Sequence, residues 1–155
     1  MTIQDGPQGS RGHLQWKFDF ASESWSFVPA STASPPGRFD HAMVAFGGST
    51  LIALGGKDAQ GTALQDIWAF DISTSAWTQV GTLMEPAFGL AAAAVGSDVY
   101  VLGGYNGAGA SAHFTKCSAS GHGTATFVSC LDITEGCALE LGCSPFGFFC
   151  SPFDN

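Results

Sequence analysis

Short apolar runs alternate with turn chemistry along this chain, most clearly between Arg38 and Val80. Four runs stand there, His41 to Phe46, Leu51 to Leu54, Ile67 to Ile72 and Trp77 to Val80, each of a length that suits a strand better than a helix. Gly47 and Gly48, followed by Ser49 and Thr50, separate the first two runs, where a short hairpin needs backbone angles that residues with a Cβ resist. Gly55 and Gly56 close the second run, and without side chains they let a neighbouring backbone or side chain approach closely. Ser73 to Ser75 supply a tight turn between Phe70 and Trp77, which places two large rings across it. The four runs predict one antiparallel four-stranded unit.

The pattern recurs on both sides. Upstream, Trp16, Phe18, Asp19 and Trp25 fall on Trp68, Phe70, Asp71 and Trp77 at one constant offset. Downstream, the run from Leu90 ends in Gly103 and Gly104, in the places of Gly55 and Gly56. Ala91 to Ala94 favours helix by propensity, but its register with Ala42 to Ala45 predicts a strand. The repeat length is roughly 50 residues. Pro29 to Gly37, with paired prolines, reads as a loop between units. Past about Ser111 the frame is lost, because Ser118 and Ala125 stand where an aromatic and a Trp are due.

Arg38, then Gly55 and Gly56, then Phe70 and Asp71, then Trp77 opening a fourth strand together resemble the kelch repeat, with Phe70 where that family more often has Tyr. The resemblance covers roughly Gln15 to Gly104. It implies an all-β fold, antiparallel four-stranded blades of a partial kelch-type β-propeller with an irregular C-terminal tail. The expected strands are the last two of one blade, all four of the next and the first two of a third. The expected organisation is a flexible N-terminus over 1–12, partial kelch repeats over 13–115 and a Cys-rich tail of unknown structure over 116–155. Propellers have typically 4 to 8 blades, so apolar surface from Phe18, Trp25, Leu90 and Tyr100 is expected to stay open and to favour self-association that completes a propeller.

Composition narrows the function. Of 155 residues, 45% are hydrophobic and 12% charged, with 21 glycines, which favours short strands and glycine turns over charge-driven disorder. A formal net charge of -8 lacks the basic footprint of a nucleic-acid binder and disfavours an anionic membrane surface. No apolar run reaches the roughly 20 residues of a membrane span, and Met1 to Gly12 has no apolar core of a secretory signal. A cytoplasmic or nuclear location is expected on that ground.

Candidate chemistry is sparse. Tyr100 and Tyr105 are the only tyrosines, and no His cluster surrounds them as a copper site would need. Cys117, Cys130, Cys137, Cys143 and Cys150 are odd in number and spaced unlike a zinc knuckle, so they read as reduced or incidental thiols. The glycine-rich G-G-S-T and G-G-Y-N-G-A-G lack the lysine of a phosphate-binding loop. No catalytic residue, metal or cofactor is expected. Arg38, Asp40 and His41, the densest polar group, read as a structural brace, and Trp16, Phe18, Trp25, Trp68, Phe70 and Trp77 as packing positions between blades.

The kelch resemblance implies a scaffold that binds another protein. Strand alternation sends the long connections, Pro29 to Gly37, Lys57 to Leu64, Gly81 to Gly89 and Tyr105 to Ala112, to one face. There Lys57, Asp58, Gln60, Tyr105 and Asn106 are the candidate contact residues. Two alternatives stand beside this reading: part of a larger kelch-type enzyme, a metal-dependent oxidase or specifier-like protein with its ligands in other blades, or an inactive truncated product.

Overall fold

A computed structural model describes residues 2–5, 13–29, 33–119 and 127–133, which form strands and connections without a helix. The central unit is an antiparallel meander of β4 (Ala42–Phe46), β5 (Thr50–Leu54), β6 (Asp66–Asp71) and β7 (Ala76–Thr82), hydrogen-bonded in that order. Each strand lies within one or two residues of the apolar run that predicts it. Gly47 and Gly48 turn between β4 and β5 with φ of 60° and 81°, and Phe70 pairs with Trp77 across β6 and β7 at 5.0 Å between ring centroids. The end of β5 explains its glycines: a Cβ on Gly55 would lie 2.3 Å from the Ala87 carbonyl oxygen, and the N–H of Gly56 donates to that same oxygen at 2.8 Å. The connection to the next unit crosses where only glycine leaves room.

A second four-stranded meander follows, made of β8 (Ala91–Val95), β9 (Asp98–Leu102), β10 (Phe114–Ala119) and β11 (Phe127–Asp132). The strand reading of the alanine run holds. The expectation that the repeat stops near Ser111 does not, and the boundary placed between 115 and 116 falls inside β10. Two length changes hid the frame. In the pairing register Leu102 meets Phe114, 12 residues on, where Leu54 meets Ile67, 13 residues on, and more residues separate β10 from β11 than β6 from β7. In register, Cys117 pairs with Val99 as Phe70 pairs with Leu51, and Cys130 stands opposite Cys117 as Trp77 stands opposite Phe70. The two cysteines form a disulfide, which corrects the reading of both as incidental thiols. Cys137, Cys143 and Cys150 lie outside the described residues.

The first unit also holds more than expected. β2 (His13–Asp19) and β3 (Ser24–Val28) are the anticipated pair, and β1 (Thr2–Asp5) adds to the free edge of β2 in the place that β5 takes beside β6. The lead-in expected over 1–12 therefore begins with a strand, because four residues suffice to satisfy an open edge; residues 6–12 lie outside the described ones. Asp19 and Asp71 build matching turns, each accepting from two backbone N–H groups just ahead, Ala21 and Ser22 for the first and Ser73 and Thr74 for the second.

The sheets stack face to face, with β4 beside β8 and β7 beside β11. Between the first two sheets Val28, Ala53, Phe70 and Trp77 are buried. Ile52, Leu54, Ile67, Leu83, Val99, Val101 and Cys117 fill the second junction, and Leu90 belongs to it too. Leu90 was expected in the open, but it sits where the linker folds into the junction. Trp16 and Trp25, expected to pack between blades, are exposed, because no sheet covers their face among the described residues.

Candidate functional site

A brace of charge holds the ends of the strands on the side where the long connections emerge. Arg38 is buried, and its guanidinium donates to both carboxylate oxygens of Asp66 at 2.7 Å and to the Gly55 carbonyl at 2.9 Å. Trp68 Nε1 donates to the same carboxylate. Burial pushes the Asp66 carboxyl up, but the hydrogen bonds from Arg38 and Trp68 outweigh it and hold it below the ordinary carboxylate value. His41 is pushed down by burial and by the charge of Arg38, so it remains neutral near pH 7. Arg38 thus has Asp66 as its bidentate partner, whereas Asp40 pairs with Lys57, at 2.9 Å.

The next blade builds its brace with the polarity reversed. Ala87 stands at the position of Arg38 and His113 at that of Asp66, so the cation now sits just ahead of the third strand. Its anions are Glu85, on the connection, and Asp132, at the end of β11. His113 Nδ1 meets Asp132 and its Nε2 lies 3.5 Å from Glu85, while Glu85 also accepts from Ser111 Oγ at 2.7 Å and Asn106 Nδ2 at 3.1 Å. The Asp132 hydrogen bond draws the His113 imidazole above its ordinary value, and Ser111 and Asn106 hold the Glu85 carboxyl below its own.

In front of these braces lies a row of side chains that the repeat makes twice. An isolated bridge joins Phe39 to Lys57 in one blade, and another joins Phe88 to Tyr105 in the next. The Lys57 ammonium sits 4.8 Å from the Phe39 ring centre and 4.5 Å from that of Phe88, and Phe88 stacks on Tyr105 at 5.8 Å. Phe39, Lys57, Phe88 and Tyr105 thus form a continuous strip across two blades, with Phe39 and Tyr105 largely exposed. A backbone bond from Gly89 N to the Asp40 carbonyl, 2.8 Å, ties the two connections together under it.

Of the residues singled out in sequence, Lys57 and Tyr105 fall in the strip. Gln60 is exposed on the neighbouring connection. Asp58 and Asn106 mainly shape their loops: Asp58 accepts from the N–H groups of Gln60 and Thr62, and Asn106 from those of Ala108 and Gly109. Gly103 and Gly104 take positive φ as Gly55 and Gly56 do. Phe39, Phe88, Glu85 and His113 escaped sequence reading, although both phenylalanines directly precede a residue of positive φ, Asp40 and Gly89, at matching places in the repeat. No group of three or more His, Cys, Asp or Glu side chains arranged to hold a metal occurs among the described residues.

The chain is similar to several larger proteins. It is 37% identical over 81 residues to the tRNA wybutosine-synthesizing protein 2/3/4 of Arabidopsis thaliana, covering 50% of this chain and 8% of that protein. Identity is 34% over 88 residues with the Rab9 effector protein with kelch motifs of Danio rerio, covering 54% and 25%, and 32% over 88 residues with the flagellar outer arm dynein alpha chain of Chlamydomonas reinhardtii, covering 55% and 2%. The chain thus matches at most a quarter of the length of these three relatives. The KLHDC2/KLHL20/DRC7 Kelch-repeats domain family matches residues 4–129, which reaches from β1 into β11 and so draws on all three sheets. The chain belongs to the kelch-repeat domain family.

Proposed function

We propose that this kelch domain is a non-catalytic scaffold that binds another protein through the face carrying its long connections. The observation that carries this reading is the strip of Phe39, Lys57, Phe88 and Tyr105. It spans two blades, exposes two aromatic rings and is backed by a rigid network of backbone bonds and ion pairs. Aromatic side chains flanking a cation suit protein recognition, since they contribute much contact area for little lost conformational freedom. The strip is short in cations and bordered by Asp40, Asp58 and Glu85, which disfavours nucleic acid. The opposite face offers only the tight turns of Gly47 to Ser49, Ile72 to Ser75 and Gly96 to Ser97 among the described residues of the last two sheets.

The test compares partner retention from cells of the same origin for the unaltered chain, Lys57→Glu, Tyr105→Ala and, on the opposite face, Thr74→Glu. Loss of the same partner with the first two variants but not the third is expected. Retention by the first two, or loss with Thr74→Glu alone, contradicts the proposal.

A further inference from the structure

The same repeat position has opposite fates in successive blades. Trp77 is 3% exposed, packed against the first sheet, whereas Trp25, its counterpart one unit earlier, is 57% exposed beside Trp16 and Phe27. At the other end, Leu54 is fully buried in the second junction, whereas its counterpart Leu102 is 45% exposed, with Val95 and Leu131 also open. Among the described residues there are therefore two uncovered faces that are not alike. One is aromatic and corresponds to the face that the central sheet turns toward the first. The other is mixed, with Val95, Leu102 and Leu131 around the Tyr100–Phe114 ring pair and Lys116, and corresponds to the face that the central sheet turns toward the last.

From this we infer that a second copy of the chain covers both faces, each copy packing its Trp25 face on the Leu102 face of the other. Continuity with the internal junctions selects this occupant, because each uncovered face matches by position one that is already buried inside the chain. Faces of two different kinds make a heterologous contact, which closes into a ring when the rotation between units allows. Two chains of three sheets give six blades, within the roughly 4 to 8 of known propellers. The long connections of all six then share one side, so the strip of Phe39 to Tyr105 occurs twice around the ring.

Size-exclusion chromatography with light scattering on the full chain, with Trp25→Glu, with Leu102→Lys and with an equimolar mixture of the two variants tests the inference. Both residues are exposed in the single chain, Trp25 touching the Phe18 ring at 5.1 Å between centroids, and circular dichroism melts check that each variant folds. A dimer is expected for the unaltered chain, and about a tenfold or greater weakening in each variant. The mixture should recover dimer, because a mixed pair keeps one unaltered junction. A monomer at tens of micromolar, growth into open chains without a closed dimer, or a dimer lost in Trp25→Glu, kept in Leu102→Lys and not recovered on mixing would each overturn it.

Discussion

Trp77 and His113 show how much one position depends on what the chain builds around it. Trp77 fills the junction between the first two sheets, so Trp77→Ala should cost about 3 to 5 kcal/mol of stability, read from urea unfolding. The corresponding change at exposed Trp25 should leave the unfolding of the single chain within about 0.5 kcal/mol. Equal costs at the two sites would mean that the register of the repeat is misplaced. His113 adds a dependence on pH that the Arg38 brace lacks. Its folded value is raised, mainly by Asp132, so its contribution is complete below the unfolded value of about 6.5 and is lost as pH rises through the folded value. Glu85, held low by Ser111 and Asn106, contributes above the ordinary carboxylate value and loses that contribution as pH falls through its lowered one. Melting temperatures across this range should therefore fall above neutrality in the unaltered chain, and that component should vanish in His113→Gln. Parallel profiles would remove His113 from the brace.

At the scale of elements, the central blade was legible in sequence because its landmarks are chemically loud: paired glycines, an aromatic followed by Asp, and a Trp after a short turn. The third blade keeps the architecture but changes the chemistry, placing the disulfide of Cys117 and Cys130 where the second has the ring pair of Phe70 and Trp77. A search for aromatics at a fixed spacing had nothing to find there. β1 was equally silent, since T-I-Q-D is too short to show a period and gains its structure by pairing with β2. The contact strip was half legible: Lys57 and Tyr105 stood in long connections, but their partners Phe39 and Phe88 arrive from the other side of a backbone bridge that no local pattern announces. The cross-link has a consequence for stability. It closes a loop with a sequence separation of 13, for which removal should cost about 3 kcal/mol. Reduction, or Cys117→Ala with Cys130→Ala, should lower the melting temperature, with hydrogen exchange rising first over Phe114–Ala119. Unchanged exchange there on reduction would show that β10 and β11 hold without the bond.

For the whole molecule, one geometry serves both proposals: the edges of the sheets carry recognition and their faces carry assembly. The connections of successive blades present the strip, while Trp25 and Leu102 lie on the exposed sheet faces where the inferred second copy would pack. Binding another protein through the long-connection face is the central claim, and site-specific photo-cross-linking in cells tests it most directly. A photoreactive residue is placed at Gln60 or Tyr105 on that face, at Thr74 or Ser97 on the opposite one, and at Trp25 or Leu102 on the sheet faces. The account predicts adducts with a different protein from Gln60 and Tyr105, adducts with the chain itself from Trp25 and Leu102, and neither from Thr74 and Ser97. Adducts with a different protein that arise from Thr74 and Ser97 and are absent from Gln60 and Tyr105 would contradict it.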